Sequence, residues 1–117
     1  MTKIKYTLMI VLAGLFAITL NSCKKNLNED PRARIINNGT QKASVQIKTS
    51  NGNTVNINNV DPGTSSPYNS YAAGQVTFTI DVNSIDYVKI LDIGNGYDYD
   101  IAIDANNIIT TKSIRRN

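Results

Sequence analysis

Gln75-Val76-Thr77-Phe78-Thr79-Ile80-Asp81-Val82 decides the fold class, because apolar and polar residues alternate strictly along the whole stretch. Side chains alternate between the two faces of an extended chain, so a period of two collects the apolar residues on one face. The apolar face carries Val76, Phe78, Ile80 and Val82. The stretch therefore predicts a β-strand that buries one face and leaves the other in water.

The same alternation recurs on both sides of this strand. It is complete from Tyr97 to Asp104 and shorter in five further runs, at residues 34–37, 43–49, 54–60, 87–93 and 108–114. Turn residues separate the runs: Asn51-Gly52 predicts a type I′ hairpin, Asp61-Pro62-Gly63 a turn, Gly94-Asn95-Gly96 a second hairpin and Asn106-Asn107 another turn. Pro67 places the least regular stretch, residues 64–71, in an edge strand or a loop.

Seven or eight short strands, spaced by turns and without a helical period, are typical of all-β proteins. We expect an antiparallel two-sheet sandwich, immunoglobulin-like or transthyretin-like, and a small β-barrel is the alternative.

Cys23 is the only cysteine, and it follows a short apolar segment with a basic start. Lys3 and Lys5 precede an apolar run of 13 residues, Leu8 to Leu20, which is the length of a secretory signal. Leu20-Asn21-Ser22-Cys23 then resembles the lipobox of bacterial lipoproteins, in which the cysteine is lipidated and becomes the mature N-terminus. Asn21 departs from the small residue usual at its position.

Two alternatives to a lipoprotein signal stay open. An uncleaved membrane anchor needs roughly 20 predominantly apolar residues, whereas Tyr6 to Leu20 is 15 residues long and includes Tyr6, Thr7 and Thr19, which are not strongly apolar. An ordinary signal peptide would leave Cys23 at the cleavage junction by chance. We expect a lipoprotein signal peptide over residues 1–22, a lipidated flexible tether over residues 23–33 and a β-sandwich domain over residues 34–117.

The whole pattern resembles the small β-sandwich lipoproteins of Gram-negative envelopes, many of unknown function. The resemblance rests on four stretches: Ser22 to Lys25, Ala33 to Asn38, Val60 to Tyr68 and Ala73 to Ile80. It implies a protein anchored in the outer membrane that faces the periplasm or the cell surface. In some such lipoproteins an acidic pair like Glu29-Asp30 directs export to the outer face of the cell.

Charge and composition exclude several functional classes. The sequence has 12 basic and 9 acidic residues. Lys3 and Lys5 belong to the predicted signal, so the 95 residues left after cleavage carry 10 basic and 9 acidic residues. That balance, without a basic stripe interleaved with aromatics, argues against nucleic acid as a partner. The chain has no His, the commonest general base and metal ligand, and Cys23 has no partner for a disulfide. We therefore predict no enzymatic activity and no cofactor.

Two groups of residues are candidates for binding. Tyr68, Asn69 and Tyr71 lie in the irregular stretch, where exposed rings beside amide and hydroxyl groups make a plausible binding surface. Asp98 and Asp100 share a strand face and offer oxygen ligands suited to Ca²⁺, with Asp104, Asp92 and Asn95 nearby. The spacing does not fit an EF-hand, and exposed aspartates also keep a strand soluble.

These observations predict a non-catalytic, membrane-anchored envelope lipoprotein that acts as an interaction or structural module. Its partners would be membrane lipid, through acylated Cys23, and an envelope protein or glycan. The alternative is an accessory lipoprotein that binds a glycan or small ligand through the Tyr68–Tyr71 loop.

Overall fold

The computed structural model describes residues 29–116, so the predictions on the signal peptide and on Cys23 lie outside the described residues. These residues form eight strands without a helix, which confirms the all-β prediction. The strands are β1 (Arg32–Asn38), β2 (Ala43–Lys48), β3 (Thr54–Val60), β4 (Asn69–Ser70), β5 (Gly74–Val82), β6 (Ile85–Ile93), β7 (Tyr97–Asp104) and β8 (Ile109–Arg115). This part of the chain accordingly contains no helix long and apolar enough to cross a membrane.

The strands form two four-stranded sheets, which we call sheet A and sheet B. Sheet A has the order β4-β1-β7-β8 and sheet B the order β3-β2-β5-β6. All neighbouring strands are antiparallel except β1 and β7, which run parallel over seven residue pairs. The predicted two-sheet sandwich is confirmed, and the barrel alternative is wrong because two separate sheets with free edges are formed.

The core lies between the two sheets and contains the alternating residues that the sequence placed inward. Ile35 of β1, Ile47 of β2 and Phe78 of β5 are almost completely buried, as are Ile101 and Ile103 of β7. Both sheets thus contribute to one continuous apolar cluster. Packing between the two sheets therefore holds the described sandwich together.

The turns between strands depart from the sequence-based assignments in two places. In the β2–β3 hairpin only Gly52 has a positive φ, so the type I′ assignment is wrong. The Gly52 N–H instead donates to the Thr49 carbonyl, 3.1 Å away, in a longer loop. The two-residue turn with positive φ at both central positions joins β5 to β6 and consists of Asn83 and Ser84.

Gly94-Asn95-Gly96 does not close a hairpin, and that prediction is wrong. The segment carries the chain from β6 in sheet B to β7 in sheet A. It is fixed at both ends, because the Gly94 N–H donates to the Tyr99 hydroxyl and the Gly96 N–H donates to the Glu29 carbonyl. The glycine-rich segment therefore indicated that the chain changes direction there, but not that it passes from sheet B to sheet A.

The irregular stretch around Pro67 lies along the free side of β1. The Ser66 N–H donates to the Ile35 carbonyl at 2.8 Å, and the Ser66 hydroxyl accepts a hydrogen bond from the Ile35 N–H at 2.9 Å. Two residues of β4 continue the pairing beyond the proline. The expectation of an edge strand or loop at Pro67 is confirmed, and β1 becomes an inner strand of sheet A.

We expect Phe78→Ala to lower the free energy of unfolding by about 3–5 kcal/mol, because the substitution leaves a cavity at a fully buried position. Val88→Ala in β6 is the control, since the Val88 side chain is 57% exposed. Equilibrium urea unfolding of both variants measures the difference. Equal losses of stability would show that the core does not lie between the sheets at Phe78.

Candidate functional site

The parallel pairing of β1 with β7 brings two arginines beside two aspartates on the outer face of sheet A. Arg32 lies opposite Asp98 and Arg34 lies opposite Asp100 in the strand register. Residues two apart on a strand share a face, so both pairs lie on the same side of the sheet. We call these four residues the Arg–Asp ladder.

Both pairs of the ladder are bidentate. Arg32 donates from Nε and Nη2 to the two carboxylate oxygens of Asp98, at 2.8 and 2.7 Å. Arg34 donates in the same way to Asp100, at 2.8 and 3.3 Å. A planar guanidinium matches a carboxylate in this fork geometry, which fixes the orientation of both side chains. The aspartate side chains are largely covered, whereas those of the arginines remain about one third exposed.

Tyr68 covers the ladder from the loop that precedes β4. The guanidinium carbons of Arg34 and Arg32 lie 4.7 and 5.3 Å from the centre of its ring. The Tyr68 hydroxyl donates to Asp100 Oδ1 at 2.6 Å. The ring therefore combines cation–π contacts with a charge-assisted hydrogen bond and locks the loop onto sheet A.

The ladder perturbs the ionisation of its own members. Hydrogen bonds from Arg34 lower the pKa of Asp100, and the hydrogen bond from Tyr68 lowers it further against the opposing effect of burial. The pKa of Arg34 is raised by the same carboxylate. Burial and the hydrogen bond to Asp100 raise the pKa of Tyr68. At neutral pH the carboxylate is thus ionised while the phenol keeps its proton as a donor.

Further cations surround the ladder and leave it with excess positive charge. Arg116 Nε lies 3.4 Å from Asp98 Oδ1, and Lys112 lies opposite Asp100 on β8 and contributes to the lowering of its pKa. Arg116 also pairs with Glu29, with Nη1 3.8 Å from Oε2, so four cations face three carboxylates. Ile114, which is opposite Asp98, adds a partly exposed apolar side chain. The outer face of sheet A is rigid, mildly basic and partly aromatic.

The structure places the predicted calcium ligands in this ladder. Asp98 and Asp100 each bind an arginine through both carboxylate oxygens, so their coordination positions are already occupied. Asp104 uses its carboxylate to accept hydrogen bonds from the N–H groups of Asn106 and Ile108 in the β7–β8 turn. Among residues 29–116, the acidic side chains form no group of three suited to a metal.

The predicted binding residues Tyr68, Asn69 and Tyr71 do not form one surface. Tyr68 belongs to the ladder, and Asn69 is exposed in β4. The Tyr71 side chain is only 5% exposed and packs in the core, so the expectation of an exposed ring is wrong. Its N–H donates to the Pro31 carbonyl at 3.0 Å. Whether these residues bind a ligand remains a prediction.

Tyr71 lines a groove at the end of the sandwich where the chain enters β1. We call this cavity of about 360 Å³ the tether-end groove. The Tyr71 hydroxyl is buried; burial raises its pKa, and the side chain of Asn69, its neighbour in β4, acts in the opposite direction.

Sequence reasoning missed Arg32, Arg34 and Arg116 as members of a site. A signal for the ladder was nevertheless present, since two arginines and two aspartates are each spaced by two residues, although Arg32 was assigned to the tether and not to the first predicted strand. It could not be used because the parallel pairing joins strands 66 residues apart in the chain. Nothing in the sequence distinguished the buried Tyr71 from the exposed residues beside it.

Comparisons with known proteins support the fold alone. No protein-family model matches the chain, and no curated protein matches it. A solved structure, the C-terminal domain of AlgF from P. aeruginosa, is similar with a TM-score of 0.50 and 15% sequence identity. The match covers 75% of this chain and 99% of that domain.

We expect Asp100→Asn to lower the free energy of unfolding at neutral pH by about 1–3 kcal/mol, because hydrogen bonds to a charged group are lost. The folded-state pKa of Asp100 is lowered. The stabilisation is therefore complete above the unfolded value of about 3.9 and disappears as the pH falls through the folded value. The difference between the variant and the wild type should shrink below about pH 4.

Urea unfolding from about pH 7 to about pH 2.5 measures this dependence. Asp92→Asn is the matched control, because Asp92 is an exposed aspartate that lies opposite Gln75 and has no ion pair in the described chain. Its effect on stability should be small at every pH. A constant difference between Asp100→Asn and the wild type would contradict an ionised role for Asp100.

Proposed function

We propose that the chain is a lipid-anchored, non-catalytic interaction module of the cell envelope, which recognises an acidic protein partner through the outer face of sheet A. The single observation that carries the recognition is the Arg–Asp ladder under Tyr68. The anchor is inferred from the lipobox at Cys23, and the envelope location follows from the anchor. The domain would face the periplasm or the cell surface.

The ladder suits protein recognition because its side chains are fixed before a partner arrives. Arginine and tyrosine are enriched among the residues that dominate binding energy in interfaces. Here the usual entropic cost of ordering them is reduced, since bidentate pairing and stacking already hold them in place. The excess of one positive charge at the ladder favours an acidic partner surface, and Ile114 supplies an apolar contact beside it.

The same contacts support a non-catalytic role. A general acid must hold a proton at working pH, whereas arginine keeps the pKa of Asp100 below its usual range. Asp98 is bound by Arg32 through both oxygens and is also close to Arg116. The ladder carboxylates therefore orient the arginines and are unsuited to transferring protons.

The anchoring part of the proposal predicts that Cys23→Ser abolishes lipid attachment. Acyl chains contribute about 0.8 kcal/mol per buried CH₂, and two chains anchor a protein stably. Metabolic labelling with a fatty acid and membrane fractionation should therefore show a labelled, membrane-bound wild type and an unlabelled variant. Ser22→Ala, which keeps a small residue before the cysteine, is the control. A labelled Cys23→Ser protein would refute the anchor.

The recognition part predicts that a photo-crosslinking residue at Ile114 captures a partner of defined mass in intact cells. Lys112→Glu should reduce the yield several-fold, because it reverses one charge at the ladder while leaving both bidentate pairs intact. Lys48→Glu on the outer face of sheet B is the matched control and should leave the yield unchanged. Equal capture from Ile114 and from Gln46 on sheet B would contradict recognition through sheet A.

A further inference from the structure

Strand β8 is the free outer edge of sheet A and is accessible from both faces. It pairs with β7 on one side and has no neighbouring strand on the other within residues 29–116. Every residue of β8 after Ile109 is exposed. This includes Thr111 and Ser113, which lie opposite the buried Ile101 and Tyr99 and therefore face the core side of the sheet. Sheet B consequently leaves β8 uncovered, and an additional strand has room beside it.

The hydrogen bonds at the two ends of β8 show which of its backbone groups are free. The Asp104 N–H donates to the Ile108 carbonyl at 3.1 Å, and the Arg116 N–H donates to the Gly96 carbonyl at 2.8 Å. In an antiparallel pair every second residue exchanges hydrogen bonds with its partner, and both ends of β8 fix the same phase. The backbone groups that point away from β7 therefore belong to Ile109, Thr111, Ser113 and Arg115.

The other sheet edges of the described chain carry features that discourage pairing. Strand β4 has only two residues, and β3 contains a register shift and Asn59 with a φ of 57°. Strand β6 is long, but Lys89 in its middle lies opposite the buried Phe78 and so carries a charge on the core side of the edge. Short strands, bulges and inward-pointing charges all protect edges. In β8 the register is regular, and its core-side charge, Arg115, is exposed at the last residue.

The charges of β8 are all positive and lie on both faces of the strand. Lys112 lies on the outer face, opposite Asp100, and Arg115 lies on the core side. Ile114 adds an apolar side chain to the outer face. A charged edge discourages indiscriminate pairing, and like charges on neighbouring strands are destabilising. The edge therefore repels a second copy of itself and attracts an acidic strand.

The ladder leaves the cations of β8 available. Asp100, the nearest carboxylate to Lys112 in the register, is held by Arg34 through both oxygens and by the Tyr68 hydroxyl. Neither Lys112 nor Arg115 forms an ion pair within residues 29–116. Both can pair with carboxylates of a partner without breaking a contact of the sandwich.

We propose that the acidic partner contributes an extended segment that adds to β8 as a fifth strand of sheet A. This inference rests on the proposed function and names the form of its partner. Backbone hydrogen bonds to the free groups of β8 supply affinity, and side chains on the two faces supply specificity. An antiparallel segment with acidic residues opposite Lys112 and Arg115 and an apolar residue opposite Ile114 fits best. Along such a segment the pattern is acidic, apolar, any residue, acidic.

The test uses a capped, fluorescently labelled nonapeptide of threonine that carries glutamate-valine-threonine-glutamate at its centre. It is titrated into the full chain in micelles of a nonionic detergent, and fluorescence anisotropy measures the affinity. Lys112→Glu should weaken the binding several-fold, whereas Lys48→Glu on sheet B should not. Amide NMR then locates the peptide. We expect larger shift changes at Thr111 and Ser113, whose N–H groups point away from β7, than at Thr110.

Two matched comparisons separate strand addition from attraction between charges. Methylating the two peptide nitrogens opposite Thr111 and Ser113 keeps the charge, removes two donors and should weaken the binding about tenfold or more. Ser113→Pro removes an N–H of β8 that does not bond to β7, and should weaken the binding about three- to tenfold. Ser113→Ala keeps this N–H and is the control. Proline is tolerated at such edge positions, so urea unfolding should show a folded Ser113→Pro variant.

Equal affinities for the methylated and unmethylated peptides would overturn the proposal, and so would the absence of binding or shift changes confined to the ladder. A dimer of the chain that Ser113→Pro dissociates would show that β8 pairs with itself and would also overturn it. In cells, partner capture from Ile114 should fall with both Lys112→Glu and Ser113→Pro. Capture that falls with Lys112→Glu alone would keep the acidic partner and refute strand addition. Capture that falls with neither would refute recognition through sheet A.

Discussion

The parallel pairing of β1 with β7 is the constraint on which the rest of sheet A depends. Without β1 that sheet would consist of the β7–β8 hairpin, and an isolated two-stranded hairpin is marginally stable at best. With β1 in place, the loop at Ser66 and the short strand β4 gain a backbone to pair with. Strand β1, near the beginning of the described chain, therefore connects a segment from its middle with the hairpin at its end.

The Arg–Asp ladder also specifies the register of this pairing. A shift of β1 by one residue would turn Ile35 outward and bring Arg34 into the core, because successive side chains point to opposite faces. A shift by two would keep the faces but separate each arginine from its own aspartate. Hydrophobic burial thus selects the face, and bidentate pairing selects the register within that face. The ladder therefore has a structural role, while the side chains of its two arginines remain partly exposed.

The local architecture could be predicted from the sequence to a large extent. The bounds of β3 and β7 agree with the alternating runs, and β5 begins one residue before its run. Such strands are predictable because each one must separate apolar from polar side chains over its own length. Turn chemistry was less informative: Asn83-Ser84 forms the two-residue turn without glycine, while Asn51-Gly52 does not adopt the expected type.

The long-range features could not be predicted, and they include the candidate sites. The change of sheet after Gly94 depends on where β7 finds a partner, which is set by β1, far away in the chain. The same holds for the ladder, because its arginines and aspartates form ion pairs only when two strands that are distant in the sequence pair with each other. Tyr71 shows the limit most clearly, since its neighbours Ser70 and Ala73 are exposed while its own ring enters the core.

Residues 29 and 30, which lead into β1, are bound to the sandwich by hydrogen bonds. The Gly96 N–H donates to the Glu29 carbonyl, and Arg116 donates to the carbonyls of Glu29 and Asp30. Arg116 also lies beside Asp98, so the last described residue connects residues 29 and 30 to the ladder. The hydrogen bonds of Glu29 and Asp30 and the contact between Arg116 and Asp98 therefore form one network. This network fixes the orientation of the ladder relative to the residues that lead into β1.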